Sequence, residues 1–331
     1  MGIWSIIRKV KCGLTKRRES DLKIFVSGHR GLVGSAIVRH VEKHNEHTWV
    51  GATRDELNLF DAHAVRAFLA REEPDAVVIA AAKVGGIGAN SRFPVDFLLD
   101  NLKIEIGILE ACHEQGVPRV LFLGSSCIYP RDAEVPIKEG ALLSGPLEPT
   151  NDAYALAKIS GLRLVRAYAQ QYGHKWISAM PTNIYGPRDN FNLETSHVVP
   201  ALIRKFHDAK ISGSESVTLW GDGTPMREFL HADDLASACI FLLENYFGET
   251  HINVGTGVDI SIAELAAEIQ GVSGFEGSII WDDTKPNGTH RKVLDTKKIN
   301  DLGWAPQIGL ENGLRHTYDW FCEQSPDDNR M

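Results

Sequence analysis

The chain lacks three features that would each define a class of protein. No apolar run approaches the ~20 residues needed to cross a bilayer, so no transmembrane segment is predicted. Basic residues are not in excess, because 35 Lys and Arg face 43 Asp and Glu, and a net charge of -8 argues against nucleic acid as the main partner. The 5 cysteines form no CxxC pair, which favours a reducing compartment, the cytoplasm, over a disulfide framework or a metal site.

The first 21 residues form a basic extension that differs from the rest of the chain. Its apolar start is too short for a secretory signal, and no small-residue cleavage site follows. Gly2 suggests N-myristoylation, but that pattern needs Ser or Thr where this chain has Ile6. We expect residues 1–21 to be disordered, and weak attachment to an anionic surface or a partner is the alternative.

A strand, a glycine-rich turn and a helix are predicted in "LKIFVSGHRGLVGSAIVRHVEK", which begins at Leu22. Glycine is needed at such a turn because a pyrophosphate must approach the backbone N–H groups at the N-terminus of the helix. The pattern therefore predicts a dinucleotide site. Its first contacts are expected to be Gly28, Arg30, Gly31, Leu32, Val33 and Gly34.

Strands and helices continue to alternate after this turn. Strands are indicated in "HTWVGATR", "DAVVIAAAKVGG" and "RVLFLGSS", with helices in "AHAVRAFLAREE" and around 94–115. The order predicts an α/β fold, a Rossmann doubly wound parallel sheet with ligands beyond the carboxyl ends of its strands. We expect a nucleotide-binding domain at 22–186, to which segments near 230–256 return. A smaller substrate-binding lobe would comprise 187–229 and 257–331.

The end of the second strand indicates which dinucleotide is bound. It reads Thr53-Arg54, and Arg30 lies inside the glycine turn. Two guanidinium groups suit the 2′-phosphate of NADP(H), because Arg binds phosphate through paired, charge-assisted hydrogen bonds. The alternative is a solvated Arg54, with its neighbours Asp55 and Glu56 binding the ribose hydroxyl of NAD.

Two further motifs place reactive side chains near this site. The stretch "GSSCIYP" follows the fourth strand and presents Ser125, Ser126 and Cys127, although a plain turn with a small buried Cys would look the same. Tyr154 and Lys158 are four residues apart on a helical segment and share one face. A tyrosine that protonates a ketone near neutral pH needs a pKa below its usual ~10, and the ammonium of Lys158 is the expected cause.

The glycine turn, Ser125 and Tyr154-x-x-x-Lys158 resemble those of the extended short-chain dehydrogenase/reductases that act on nucleotide sugars. Within them, the stretches "AAAKVGGIGAN", "PTNIYGPRDNF", "SHVVPALIRKFH", "WGDGTPMREFLHADD" and "INVGTGVD" are similar to the 3,5-epimerase/4-reductases. The match runs from about residue 22 to residue 321. The resemblance implies a GDP-4-keto-6-deoxy-D-mannose substrate, epimerised at C3 and C5 and then reduced at C4 with NADPH by Ser125, Tyr154 and Lys158.

The resemblance also implies further cofactor contacts and a homodimer that pairs through the helices near 95–115 and 154–172. Most of the added cofactor contacts lie at or after the ends of the second strand, the fourth strand and the strand that ends in "PTNIYGP", and two lie on or near later helices. They are Arg54, Asp55, Glu56, Leu57, Asn58 and Leu59; Leu123, Gly124, Ser125 and Ser126; Pro181, Thr182, Asn183 and Ile184; and Lys158 and His197.

Epimerisation next to a ketone needs a base and an acid, and the resemblance implies that Cys127 and His197 supply them. Their usual pKa values of ~8.5 and ~6.5 lie near working pH. "ETSHVVPALIRKFHDA" predicts His197 at the start of a helix with Ser196 as N-cap, and the positive helix end would ease loss of the imidazolium proton. A His that only caps or packs is the alternative, and either residue could be the base.

By similarity, Lys205, Trp220, Arg227 and Asn287 contact the GDP-sugar. The family's usual Lys-Pro-Asp-Gly-Thr-Pro-Arg-Lys reads "KPNGTHRK" here, at 285–292. Asn in place of Asp removes a charge, which makes a guanine or ribose contact at this point less secure. The two cations that close the motif, Arg291 and Lys292, are either substrate contacts or ordinary surface residues.

Two other classes of function share parts of this pattern. A sugar 4,6-dehydratase or 4-epimerase would share the fold, the Tyr and the Lys, but a dehydratase of this family carries Thr-Asp-Glu where this chain has Ser-Ser-Cys. A protein that senses NADP without chemistry would have no need of Tyr154 and Lys158 together with Ser125, Cys127 and His197.

Overall fold

The computed structural model describes residues 21–285 and 287–324. Residues 1–20 of the predicted basic extension therefore lie outside the described residues. None of the helices in those ranges combines the length and the apolarity that crossing a bilayer requires. The elements of the first half are β1 (Lys23–Ser27), α1 (Leu32–His44), β2 (Thr48–Val50), α2 (Ala62–Glu72), β3 (Ala76–Ile79), α3 (Ile87–Arg92), α4 (Pro94–Glu114), β4 (Arg119–Leu123), α5 (Asp152–Tyr172), β5 (Lys175–Pro181) and β6 (Asn183–Tyr185).

The second half begins with helix α6 and ends with helix α10. Its elements are α6 (Val198–Ser212), β7 (Ser216–Trp220), β8 (Met226–His231), α7 (Ala232–Asn245), β9 (Ile252–Val254), β10 (Asp259–Ser261), α8 (Ile262–Ser273), β11 (Ser278–Asp282), β12 (Arg291–Lys292), α9 (Lys297–Asp301) and α10 (Leu310–Cys322). Between β4 and α5 lie two short 3-10 turns, Ser126–Ile128 and Glu139–Ala141.

The main sheet has the strand order β2-β1-β3-β4-β5-β9, and every pair of neighbours among these described strands is parallel. The chain therefore winds outward from β1 in both directions, which confirms the doubly wound Rossmann sheet. Parallel strands place all their carboxyl ends at one edge, where the glycine turn after β1 and the turn after β4 both lie. The ligand-binding edge is thus set by topology.

Side chains of the strands alternate between two buried faces. In β1, Ile24 and Val26 belong to a core that includes Leu235 of α7, whereas Phe25 packs in the opposite core with Phe68 and Ile108. Because both faces are covered by helices, the strands are apolar throughout rather than alternately polar.

A second lobe is built around α6, α8 and α10. Its core includes Phe206, Leu265 and Leu314, one from each of these helices. Strand β8 connects the lobes, because it pairs with three strands, β6, β10 and β12. Strand β9 and helix α7 return to the nucleotide-binding sheet, and the exact domain limits given above stay a prediction.

Candidate active site

The turn between β1 and α1 has the shape of a dinucleotide cradle. Gly28 has a φ of +77°, a conformation that suits glycine, and the N–H of Gly31 donates to its carbonyl oxygen at 2.9 Å. A Cβ added at Gly34 would collide with that same carbonyl. No side chain caps α1, and no acidic residue occupies its first turn. The N-terminus of α1 therefore fits a pyrophosphate.

The residues after β2 fit a 2′-phosphate better than a free ribose hydroxyl. Arg30 and Arg54 are both exposed. The Glu56 carboxylate accepts a hydrogen bond from the Thr53 N–H at 2.8 Å, and hydrogen bonds from Thr53 hold its pKa below the usual value. That carboxylate is therefore already engaged, which weakens the alternative of ribose binding by Glu56.

The remaining predicted cofactor contacts after β2 differ in their surroundings. Leu57 is buried in the core, and Leu59 packs against that core. The side-chain oxygen of Asn58 accepts the N–H of Phe60 at 3.1 Å. Asp55 is exposed.

The turn after β4 carries a hydroxyl and a thiol at the carboxyl end of that strand. Ser125 precedes the 3-10 turn, and its Oγ accepts the N–H of Cys127 at 3.3 Å. Burial raises the pKa of the Cys127 thiol, against the opposing effect of Lys292, Ser125 and Lys158. The expectation of a thiol pKa near working pH is therefore wrong for this structure, because desolvation disfavours the thiolate.

Tyr154 and Lys158 lie on α5 as predicted, but their electrostatic relation is not the predicted one. Lys158 Nζ donates to the carbonyl oxygen of Leu123 at 3.0 Å and lies 3.0 Å from Oε1 of Glu105. The pKa of Tyr154 is raised well above its usual value, by burial first and then by Cys127 and Glu105. The expected lowering by Lys158 is thus wrong here, because the ammonium is paired elsewhere. The resting phenol is protonated.

His197 is the N-cap residue of α6, a place that the sequence assigned to Ser196. His197 is accessible to solvent but deeply recessed among protein atoms, and this burial lowers the pKa of its imidazole. The predicted direction of the shift is correct, whereas its cause is desolvation rather than the helix end.

The loop after β3 contacts both the segment before His197 and the ring that packs beside Tyr154. Gly86 donates its N–H to the carbonyl oxygen of Thr195 at 3.0 Å, two residues before His197. Gly85 packs against Phe97, whose ring meets that of Tyr154 edge-on at 6.4 Å. The phenol and the imidazole are therefore held by one connected set of contacts.

Lys292 is a site residue that the sequence left undecided. Strand β12 pairs with β8, which places Lys292 opposite Arg227. Burial lowers the pKa of the Lys292 ammonium, and Cys127, Arg227 and Glu148 lie close enough to act on it. Strand pairing between distant segments decides this position, so no local pattern could have found it.

Of the predicted substrate contacts, Lys205 lies beside the exposed indole of Trp220 in the second lobe, whereas Arg227 lies on β8 opposite Lys292. Trp220 is 65% exposed, and Nζ of Lys205 and of Lys285 lie 5.9 and 5.8 Å from its ring centre. Lys205 also donates to the carbonyl oxygen of Thr218 at 2.9 Å. Asn287 is partly committed, because its Oδ1 accepts the N–H of Asp222 at 3.0 Å. A flat base and a diphosphate suit an aromatic plate between two cations.

The strand that carries "PTNIYGP" continues from β5 into β6. Pro181 is buried, and the side chains of Thr182 and Asn183 both donate to the carbonyl oxygen of Glu228, at 3.2 and 2.8 Å. These bonds fasten the predicted nicotinamide-side segment to β8. The next residue, Ile184, is partly buried and packs against the core.

Comparison with known proteins decides the family. The family model described as the NAD dependent epimerase/dehydratase family matches residues 24–255. The chain belongs to the NAD-dependent epimerase/dehydratase family. Its resemblance to the enzymes of nucleotide sugars is thereby confirmed.

Relatives within this family are similar over nearly their whole length. GDP-L-fucose synthase 1 of Arabidopsis thaliana is 52% identical over 92% of this chain and 94% of its own length. GDP-L-fucose synthase of Escherichia coli (strain K12) is 51% identical over 92% and 98%. The crystal structure of a GDP-L-fucose synthetase from Naegleria fowleri bound to NADP is 32% identical, covers 93% of this chain and 96% of its own, and has a TM-score of 0.85.

Proposed function

We propose that this protein is an NADPH-dependent enzyme that converts GDP-4-keto-6-deoxy-D-mannose into GDP-L-fucose, by epimerisation at C3 and C5 and reduction at C4. The observation that carries the proposal is the thiol turn of Ser125 and Cys127, set beside Tyr154 on α5 in a member of this family. A plain reductase would need the phenol but not the thiol. Relatives that are about half identical bear the name of this activity.

Reduction at C4 uses the phenol and the hydroxyl at the carboxyl end of β4. Tyr154 rests in its protonated form, so it can donate its proton to the C4 oxygen as the ketone is reduced. The hydroxyl of Ser125 then hydrogen-bonds the same oxygen and stabilises its developing charge. NADPH, when bound, supplies the hydride.

Epimerisation uses the thiol of Cys127 and the imidazole of His197. Burial keeps both groups neutral at pH 7, since it raises the thiol pKa and lowers the imidazole pKa. The pair therefore holds one transferable proton, on sulfur, and one free lone pair, on nitrogen. A base and an acid are both present, as inversion of a carbon next to a ketone requires.

The GDP portion is proposed to bind at the indole of Trp220, with its diphosphate between Lys205, Arg227 and Lys292. Lys292 then has two roles, because it also faces Cys127. Binding of the diphosphate would shield this ammonium and so couple occupancy of the nucleotide site to the thiol.

The cofactor preference is tested by Arg54→Ala. Loss of the exposed guanidinium removes a charge-assisted contact to the 2′-phosphate, so we expect KM for NADPH to rise about tenfold while KM for NADH changes little. Steady-state kinetics with both cofactors measure this, with Arg163→Ala, an exposed arginine of α5, as the control. Equal KM values for NADPH and NADH in the unmutated protein would refute the NADP preference.

We further propose a cytoplasmic homodimer. The four cysteines in the described part of the chain are free thiols, as in a reducing compartment. Val95, Leu99 and Ile106 of α4 and Leu156 of α5 are exposed apolar residues on neighbouring helices, a face suited to a second copy. Light scattering should give twice the chain mass, and Leu99→Glu with Ile106→Glu should give the monomer. A monomer in the unmutated protein would exclude the dimer.

The proposed activity is tested by supplying GDP-4-keto-6-deoxy-D-mannose and NADPH to the unmutated protein. We expect loss of the nicotinamide absorbance and GDP-L-fucose as the product identified by NMR. Absorbance loss with a product that keeps the configuration of the substrate at C3 and C5 would show that the protein is a carbonyl reductase without epimerase activity. No turnover at all would refute the proposal.

A further inference from the structure

The peptide between Gly85 and Gly86, in the loop after β3, is held by partners from two different parts of the chain. Its carbonyl oxygen, that of Gly85, accepts a hydrogen bond from Nδ2 of Asn90 at 2.7 Å. Its N–H, that of Gly86, donates to the carbonyl oxygen of Thr195 at 3.0 Å. Because the C=O and the N–H of a trans peptide are coplanar and point in opposite directions, Asn90 and Thr195 hold one peptide plane from its two sides.

The side chain of Asn90 is buried and serves this loop through its donors. Asn90 lies on α3 and is 6% exposed, and its Nδ2 also donates to the carbonyl oxygen of Gly86 at 3.1 Å. Its Oδ1 accepts no hydrogen bond from the described residues. An amide nitrogen carries two protons, so both donors of this side chain are used on two consecutive carbonyls of the loop.

Glycine on both sides of the peptide means that the local backbone does not fix its orientation. Gly86 has a φ of -66°, and turning the peptide over would bring this angle to about +114°, which glycine tolerates and other residues do not. The turned peptide would direct its carbonyl at that of Thr195 and its N–H at Nδ2 of Asn90. The amide of Asn90 therefore selects the orientation in which the bond to Thr195 exists.

The carbonyl of Thr195 belongs to the turn that leads into His197. The N–H groups of Thr195 and Ser196 both donate to the carbonyl oxygen of Asn192, at 3.2 and 2.9 Å, and His197 follows as the N-cap residue of α6. A Cβ added at Gly86 would lie 2.6 Å from the carbonyl oxygen of Ser196, so the two backbones are in close contact. A loop that lost its orientation would release the segment that ends at the imidazole.

The start of the same loop is fastened by a different amide. Asn101 of α4 is fully buried; its Oδ1 accepts the N–H of Lys83 at 2.8 Å, and its Nδ2 donates to the carbonyl oxygen of Lys83 at 3.0 Å. Nδ2 of Asn101 also donates to the carbonyl oxygen of Phe97, whose ring meets that of Tyr154 edge-on. The side of the site that holds the phenol is thus fixed by Asn101, whereas the side that holds the imidazole depends on Asn90.

We propose that Asn90 is a positioning residue for epimerisation at C3 and C5, whose side-chain amide keeps the Gly85–Gly86 peptide in the orientation that ties the loop after β3 to the turn before His197. This inference rests on the proposed function and deepens it. Asn90 acts on the reaction through the place of the imidazole, not through a contact with the reacting carbons.

The test is the pH dependence of the exchange of solvent deuterium into C3 and C5 of the substrate in Asn90→Asp. The carboxylate has nearly the shape of the amide but no donor, so it repels the Gly85 carbonyl, and exchange near neutral pH should fall about 10²-fold. Burial among carbonyl oxygens raises the pKa of such a carboxyl group, and its protonated form can donate again. Exchange should therefore recover as the pH is lowered toward ~5, whereas Asn90→Leu should stay slow at every pH.

The matched control is Asn245→Asp on α7. This exposed amide donates to the carbonyl oxygen of Phe241, four residues earlier, as Asn90 does to that of Gly86. It should exchange deuterium at the unmutated rate at every pH. Full exchange in Asn90→Asp near neutral pH, or a loss that does not recover at low pH, would overturn the proposal.

Oxidation of GDP-L-fucose by NADP, the reverse of reduction at C4, is the internal reference within each variant. It uses Tyr154 and does not require His197, so it should change little in Asn90→Asp. An equal loss of oxidation and of deuterium exchange would show a general disruption of the site and would overturn the proposal.

Amide hydrogen exchange at Gly86 tests the peptide without any substrate, so its outcome does not depend on the proposed function. The Gly86 N–H should exchange about tenfold faster in Asn90→Leu than in the unmutated protein, and unchanged protection would overturn the proposal. If neither Asn90 variant folds, Gly86→Ala replaces them, because its methyl group would push the Ser196 carbonyl away while Asn90 stays. Deuterium exchange at C3 and C5 should then fall at every pH, and exchange at the unmutated rate would refute the proposed role.

Discussion

Tyr154→Phe should lower kcat for reduction at C4 by about 10³-fold, because it removes the proton donor and leaves the rest of the site intact. Phenylalanine can keep the edge-on contact with Phe97, so the fold should be unaffected. The phenol rests protonated, so it is the group that can donate this proton. Single-turnover oxidation of NADPH measures the loss.

The same variant should separate the two halves of the reaction. Solvent deuterium should still enter C3 and C5 of the substrate, since the thiol and the imidazole are untouched. Tyr172→Phe, an exposed tyrosine at the end of the same helix, is the control and should react at the unmutated rate. If Tyr154→Phe reduced the substrate at the original rate, the proton donor would have to be another group.

Cys127→Ser should slow epimerisation by about 10³-fold or more while the affinity for NADPH changes little. A hydroxyl is a far weaker acid than a thiol, so the proton that serine carries is much harder to transfer to the substrate. Deuterium exchange at C3 and C5 measures the step without hydride transfer. Cys322→Ser, an exposed thiol on α10, is the matched control. Full exchange in Cys127→Ser would remove the thiol from the mechanism.

The pH profile of epimerisation follows from the two shifted groups. Because burial lowers the pKa of the His197 imidazole and raises the pKa of the Cys127 thiol, the imidazole stays neutral to a lower pH, and the thiol stays protonated to a higher pH, than the free groups do. The pair thus carries one proton over a wider range than free imidazole and thiol would. The rate of deuterium exchange should therefore be constant over a pH range that extends below ~6.5 and above ~8.5.

The local sequence pattern is sufficient to predict the fold of this protein. Apolar strands, the glycine turn and amphipathic helices follow one another in an order that permits few topologies, so the sheet and the edge that binds ligand could be predicted. The spacing of Tyr154 and Lys158 on one helix is likewise a local property, and α5 carries both. His197 at the start of α6 was found the same way.

The electrostatics of the site could not be predicted, because they depend on contacts between distant segments. Lys158 was expected to act on Tyr154, but α4 packs against α5 and presents Glu105 to the ammonium instead. Lys292 reaches Cys127 only because β12 pairs with β8. Burial, which no sequence pattern measures, sets the direction of the shift at Cys127, Tyr154 and His197.

The proposed mechanism requires that the phenol, the thiol and the imidazole act on one hexose. The most direct measurement is the isotopic composition of the product formed from GDP-4-keto-6-deoxy-D-mannose and NADPH in D₂O. We expect one deuterium at C3, one at C5 and a protium at C4 that comes from the cofactor. A reduced product without deuterium at C3 and C5 would contradict the account, because hydride transfer would then occur without the thiol and the imidazole.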